Sequence, residues 1–354
     1  MMIRTILVAL DGSKIAEQTL PVVIALTPRI GADVVLASAI APQDGWTDGP
    51  VVREWEQEEQ GAASAYLKSV QQQLGKRGVK VRGVRVDWGR PHLVIGAIAD
   101  EEGADLIAMT THGRSGFARW VMGSVADKVL RTSRKPVLLV HSHDESQEPA
   151  AREVQIERIL VPLDGSPLGE SVIPFVQDLA KSLHASLLLL DVVVPTPELS
   201  ATFLPYSTSI LEELRVGAEK YIEGVGKRIG ASGVAVETTA VVGQAAEAIL
   251  DAAKQTSADL IALSTHGRSG PARWILGSVA DAVIRHADRP CLVIPARGAD
   301  RGKAEPEQAS SAVPAVGTTV VPPPALTERP AERQPRRSRA PKERPHRPER
   351  SPGR

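Results

Sequence analysis

The chain has 354 residues, enough for two domains of ordinary size with a segment to spare. Three Phe, five Trp and three Tyr leave Val, Ile, Leu and Ala to build the interior, and the single cysteine, Cys291, excludes an intramolecular disulfide framework and a multi-cysteine zinc cluster. Formal charge is zero, but the residues before Arg297 carry 29 Lys+Arg against 35 Asp+Glu while the last 58 carry 13 against 7, which argues against generic nucleic-acid binding by the acidic part. In chain order, short β-branched runs predict strands near 3–9, 33–40, 80–87, 105–110 and 137–141, and amphipathic stretches predict helices near 14–29, 51–77, 91–102 and 121–133. The series then starts again, with strands near 157–163, 186–194, 234–242, 259–264 and 291–295.

The restart is a true internal repeat. Ile6-Leu-Val-Ala-Leu-Asp-Gly-Ser13 returns as Ile159-Leu-Val-Pro-Leu-Asp-Gly-Ser166, an offset of 153. Ala104-Asp-Leu-Ile-Ala108, Thr111-His-Gly-Arg-Ser-Gly116 and Gly123-Ser-Val-Ala-Asp127 return at an offset of 154. The fold class expected is α/β: two tandem doubly wound domains, each a five-stranded parallel sheet flanked by four helices, with a disordered tail. The divisions expected are 1–142 for the first domain, 143–156 for a linker, 157–296 for the second domain and 297–354 for a Pro/Arg-rich tail. That tail holds eleven of the 27 prolines and no periodic apolar pattern. Its Arg-rich end reads either as a solvated extension or as a contact for an acidic partner or nucleic acid. The apolar runs are strand-sized, and the N-terminal run is too brief for a signal-peptide core, so no membrane segment and a cytoplasmic location are expected.

Two constellations carry chemistry. Asp11 ends the first strand and Gly12-Ser13 opens the first helix, as Asp164-Gly165-Ser166 does in copy two. The carboxylate can accept hydrogen bonds from a ligand and the serine can cap the helix, or the triplet is only a strand-to-helix turn. After the fourth strand come Thr110-Thr-His-Gly113, nine residues, and Gly123-Ser124 at a helix start; copy two has Ser264-Thr-His-Gly267, nine residues, and Gly277-Ser278. Gly113 and Gly116 permit a loop with exposed amides, Gly123 permits close approach, and Ser124 puts a hydroxyl and an amide at a helix N-terminus, which suits phosphate. Glycines before a helix also serve packing alone.

Other features point less sharply. Gly224-Val-Gly-Lys-Arg-Ile-Gly230 has the wrong spacing and place for a dinucleotide loop, and there is no P-loop. His141-Ser-His143 lacks a third metal ligand, and Trp120 and Trp274 read as packing residues. His112 and His266 have no nucleophile constellation beside them, while Arg114 and Arg268 either neutralise phosphate or cover a subunit surface.

Asp11, Gly89-Arg-Pro91, the Ala-Asp-Leu-Ile-Ala strand, His-Gly-Arg-Ser-Gly, Gly-Ser-Val-Ala-Asp and the closing Pro-Val-Leu-Leu-Val strand together resemble the universal stress protein family in a tandem form, over residues 3–142 and 157–296. The resemblance implies an ATP site of the pattern Gly, two residues, Gly, nine residues, Gly-Ser. Its first glycine is replaced here by Thr110 and Ser264. By that resemblance Asp11 and Asp164 hold the adenine end, with the backbone of Ala39 and Val192 beside the base. Gly113, Gly123, Ser124 and Val125, with Gly267, Gly277, Ser278 and Val279, hold ribose and phosphates. Thr110, His112, Arg114 and Gly116 complete the first site as Ser264, His266, Arg268 and Gly270 complete the second. The expected ligand is ATP, with or without Mg, and the expected role is a nucleotide-responsive stress module with an unknown protein partner. No catalytic residue and no protein metal site are assigned. A nucleotide-free scaffold and a slow ATPase stand as alternatives. The resemblance also implies that the last strand of each copy, Val137 to His141 and Cys291 to Pro295, lies at a sheet edge and mediates self-association, between the copies or across a dimer.

Overall fold

The computed structural model describes residues 3–42, 50–112, 122–141, 154–195, 207–265 and 276–296. The tail from 297, the join at 142–153, and Gly113, Arg114, Gly116, Trp120, His266, Gly267, Arg268, Gly270 and Trp274 lie outside the described residues.

The first copy runs β1 (Thr5–Ala9), α1 (Lys14–Glu17), α2 (Leu20–Ile30), β2 (Asp33–Ile40), α3 (Pro50–Lys76), β3 (Val81–Trp88), α4 (Pro91–Glu101), β4 (Leu106–Thr110), α5 (Ser124–Thr132) and β5 (Val137–Val140). The second runs β6 (Arg158–Leu163), a 3-10 turn (Gly169–Val172), α6 (Ile173–Leu183), β7 (Ser186–Val193), α7 (Ser207–Gly230), β8 (Val236–Val242), α8 (Ala245–Gln255), β9 (Leu260–Ser264), α9 (Ser278–His286) and β10 (Cys291–Ile294). The helix expected over 14–29 is two pieces, because Pro21 sits at the start of α2 and has no N–H to continue the ladder from α1.

All strands join one sheet in the order β3-β2-β1-β4-β5-β10-β9-β6-β7-β8. Pairing is parallel within each copy, and the two fives meet where β5 and β10 run antiparallel, Leu138 opposite Leu292. Each last strand is thus the margin of its own copy and is covered by the other. Helices on both faces leave β1, β5 and β10 buried along their whole length, which is why these strands read as unbroken apolar runs. Alternate residues divide between two cores: Ile6 and Val8 face the side of α2, α3, α6 and α7, and Leu7 and Ala9 face the side of α4, α5, α8 and α9. The true edges are β3 and β8; on β3, Arg85 pairs with Asp87, Glu101 and Glu102, which discourages further strand pairing.

Several repeated motifs have structural duties. Asp105 Oδ2 accepts the backbone N–H of Arg4 (2.8 Å) and Thr5 (3.1 Å), tying the start of β4 to that of β1, and Asp259 does the same for Glu157 and Arg158 (both 2.9 Å). Asp127 and Asp281 each receive an arginine one helical turn later, Arg131 at 3.0 Å and Arg285 at 2.8 Å. The Gly224–Gly230 stretch is the end of α7, and a Cβ on Gly226 would come within 2.7 Å of Thr238 Cγ2, so its glycine permits close helix-to-strand packing. His141 directs its ring nitrogens to the carbonyls of Arg289 (3.2 Å) and Ile284, linking the copies. No helix among the described residues is long and apolar enough to cross a membrane.

Candidate functional site

In each copy the strand order reverses between the first and fourth strands, whose following helices leave to opposite faces. A crevice must open beyond their carboxyl ends. In the first copy it is a cleft of ≈690 Å³, within the range typical of small-molecule sites. A hollow of ≈760 Å³ also lies at the amino ends of the strands in the second copy, where Lys181, His184 and Thr256 mark the ends of α6 and α8. Helix C-termini are unfavourable for anions, so the first cleft is the better anion site.

Asp11, Ala39, Thr110, His112, Gly123, Ser124 and Val125 all line that cleft, brought together from β1, β2, β4 and α5. The Asp-Gly-Ser triplet is indeed a turn: Asp11 Oδ1 accepts the Ser13 N–H (3.0 Å) and hydroxyl (2.6 Å), and Ser13 Oγ caps α1 by accepting the Ala16 N–H (3.1 Å). Gly12 adopts φ +85°, a left-handed conformation that explains the glycine. The same turn still presents Asp11 to the cleft, so capping and ligand contact are compatible.

Beyond β4 the chain folds back on itself. Thr110 donates its hydroxyl to the His112 carbonyl (2.5 Å), and Thr111 Oγ1 lies 3.1 Å from His112 Nδ1. Burial pushes the His112 imidazole below its usual pKa, which favours the neutral ring near neutral pH. Gly123 donates its N–H to the Thr111 carbonyl at 2.8 Å. A Cβ there would stand 2.9 Å from that same oxygen, so glycine is what lets α5 begin against the end of β4. Ser124, Val125 and Ala126 then form the first turn of α5, whose N–H groups have no acceptor inside the helix.

The cleft has a wall that sequence reasoning missed. Trp55, Glu59, Ala62, Ala63 and Tyr66 line it from one face of α3, at the i, i+4, i+7, i+8, i+11 spacing of a helical stripe. Trp88 at the end of β3 packs edge-to-face on Trp55, ring centroids 5.6 Å apart at 61°. One signal was available: Tyr66 recurs as Tyr221 at an offset of 155.

The family is now decided by both halves. A model of the "Universal stress protein family" matches residues 2–141 and again 155–295. The chain belongs to the universal stress protein family. A universal stress protein of Methanocaldococcus jannaschii is 32% identical over 141 residues, 39% of this chain and 81% of that one. One of Mycobacterium tuberculosis is 28% identical over 197 residues, 54% of this chain and 61% of that protein, so the alignment spans well under two thirds of its length. Among solved structures, a universal stress protein from Archaeoglobus fulgidus DSM 4304 matches with TM-score 0.61 at 22% identity, over 84% of this chain and 97% of that one, a likeness of fold.

The second universal stress domain repeats the layout with different chemistry. Asp164 Oδ1 accepts the Ser166 N–H (3.0 Å) and hydroxyl (2.7 Å), and Gly277 donates to the Thr265 carbonyl at 2.8 Å ahead of Ser278 and Val279. Val192 packs beside the core below the α8–α9 face. The Ser264 hydroxyl lies 3.4 Å from that of Ser171. Tyr221 donates to Glu170 at 3.0 Å, and Arg228 meets the same carboxylate at 2.8 Å. Burial, the Glu170 hydrogen bond and the charges of Glu170, Asp191 and Asp164 hold the Tyr221 hydroxyl well above its usual pKa.

Proposed function

We propose that this universal stress protein binds ATP or a related adenine nucleotide, with or without Mg, and acts in the cytoplasm as a nucleotide-responsive regulatory module that reports its state to a protein partner. The observation that carries this reading is the convergence on one ≈690 Å³ cleft of the Asp11 carboxylate, the N-terminus of α5 with Ser124, and an apolar slot lined by Ala9, Ala37, Ala39 and Ala63. A base suits the slot, ribose hydroxyls suit the carboxylate, and phosphates suit the helix start. Gly113, Arg114 and Gly116, and their second-copy counterparts Gly267, Arg268 and Gly270 together with His266, belong to the proposed phosphate loops.

Among the described residues no group of three His, Cys, Asp or Glu could hold a metal. Any Mg then arrives with the phosphates, as this ion usually does. The reading assigns no catalytic residue; burial lowers the His112 pKa, which favours the neutral ring. The replacement of the first motif glycine by Thr110 and Ser264 favours a nucleotide-free scaffold as the second reading. That reading is the weaker one for recruitment through the last strands, since β5 and β10 are already occupied by each other.

The test is calorimetric titration of ATP into the full chain and into Ser124→Ala. Loss of a hydrogen bond to a charged phosphate costs about 1.5–3 kcal/mol, so affinity falls about ten- to a hundredfold. Unchanged affinity in the variant removes Ser124 from the site. No binding to the full chain at saturating ATP leaves the scaffold.

A further inference from the structure

We infer that the two clefts are unequal: the first, walled by Trp55, is the principal nucleotide site of this chain, and the second, with Ile210 in place of that ring and the buried carboxylate of Asp191 in place of Ser38, takes nucleotide less well. This rests on the reading that the chain takes an adenine nucleotide.

The first cleft offers a base an aromatic face. Trp55 lines it, and the edge-to-face contact with Trp88 holds the ring plane. Small residues around it, Ala39, Ala41 and Ala62 among them, leave room for a flat ring system. Stacking on an aromatic side chain is available to any base because every base has a π-face. The repeat places Ile210 and Val242 where the first copy has Trp55 and Trp88, so the second copy has no aromatic pair there.

Charge separates the clefts further. Ser38 lines the first and is 7% exposed; its repeat equivalent is Asp191, 6% exposed, so a carboxylate replaces a hydroxyl at the same depth. Glu17 of the first copy pairs with the exposed Lys14 at 2.8 Å. In the second copy Pro167 replaces that lysine, and the equivalent Glu170 is engaged instead by Tyr221 and Arg228. Gly169 takes the place of Ala16, and a Cβ on it would meet Asp164 Oδ1 at 2.4 Å. Glycine at 169 is thus what lets the turn close on the Asp164 carboxylate. A buried carboxylate at Asp191, where the first copy has the Ser38 hydroxyl, disfavours an anionic nucleotide in the second cleft.

The experiment is titration of MgATP into the full chain by calorimetry, with tryptophan emission followed in parallel. One nucleotide per chain is expected, with a change in emission. Trp55→Ala weakens that site roughly 5- to 100-fold, while Trp55→Phe, which keeps an aromatic face, recovers most of the affinity; far-ultraviolet dichroism verifies that both variants are folded. Asp191→Ser raises the stoichiometry toward two. Two sites of equal affinity in the unaltered chain overturn the inference, as does a single site indifferent to both Trp55 variants. No binding at saturating MgATP is a different failure, because it removes the nucleotide reading itself.

Discussion

Replacing Gly123 by alanine puts one methyl group where the fold has no room for it. Its Cβ would stand 2.9 Å from the Thr111 carbonyl oxygen and 3.5 Å from His112 Cα. Carbon-to-oxygen contacts settle at about 3.3 Å or more, so the start of α5 must retreat by ~0.4 Å. The oxygen cannot yield instead, because it accepts the Gly123 N–H at 2.8 Å while the Thr111 N–H is held by the Val140 carbonyl at 3.0 Å. Gly123 has φ −59° and ψ 146°, which alanine adopts without strain, so the cost is steric. Overpacking costs about 1–3 kcal/mol, and reduced freedom of the unfolded chain returns about 0.4–1. The net loss is about 1–2 kcal/mol, a fall in melting temperature of roughly 2–8 °C for a domain of this size. Because Ser124 moves with the helix, ATP affinity drops about tenfold, a loss of about 1.4 kcal/mol. Thermal denaturation followed by circular dichroism and calorimetric ATP titration read the two effects separately. Unchanged melting refutes the packing reasoning, and lower melting with unchanged affinity refutes the placement of phosphate at α5. Gly277→Ala makes an internal control: it alters the corresponding helix start of the second copy, where Gly277 donates to the Thr265 carbonyl at the same 2.8 Å, and leaves the first cleft's affinity alone.

Further outcomes follow from other contacts. Asp105→Ala leaves two backbone N–H groups at the start of β1 without their carboxylate and costs about 1–3 kcal/mol, seen as a lower urea midpoint; Asp259→Ala does the same in the second copy. Cys291 is fully buried, and burial pushes its thiol up to about 12, so iodoacetamide labels it in denaturant and leaves the native protein unmodified at pH 8. His112 has its pKa lowered by burial, so the unfolded chain binds more protons between the folded value and the ordinary imidazole value of 6.5. Its share of stability is complete above that value and declines as pH falls below it. Melting temperature therefore drops more from pH 7.5 to pH 5 in the unaltered chain than in His112→Gln; equal drops would remove His112 from the account.

Much of the fold was legible because a parallel sheet covered on both faces writes its strands as apolar runs, and the repeat supplied an independent reading of each. The split at Pro21 was missed since the amphipathic period continues across it, and the period reports the buried face rather than the hydrogen-bond ladder. The site was legible where chemistry is local in sequence: Asp11 to Ser13 and Gly123 to Val125 announce themselves by turn glycines and cap residues. Trp55 and Tyr66 were not, because which face of the long helix α3 meets the cleft depends on how it packs over β2 and β3. The double duty of Asp105 and Asp259 also lay hidden, for their partners are about a hundred residues away. Thr110 shows the limit of motif matching: it departs from the glycine of the pattern yet has its own task, bonding the His112 carbonyl two residues on.

Equilibrium dialysis of the full chain against labelled ATP, carried to saturation, tests the central claim most directly. The account predicts saturable binding that unlabelled ATP displaces and that Ser124→Ala weakens about ten- to a hundredfold. Absence of bound nucleotide at saturating ATP in the folded, unaltered chain would contradict it.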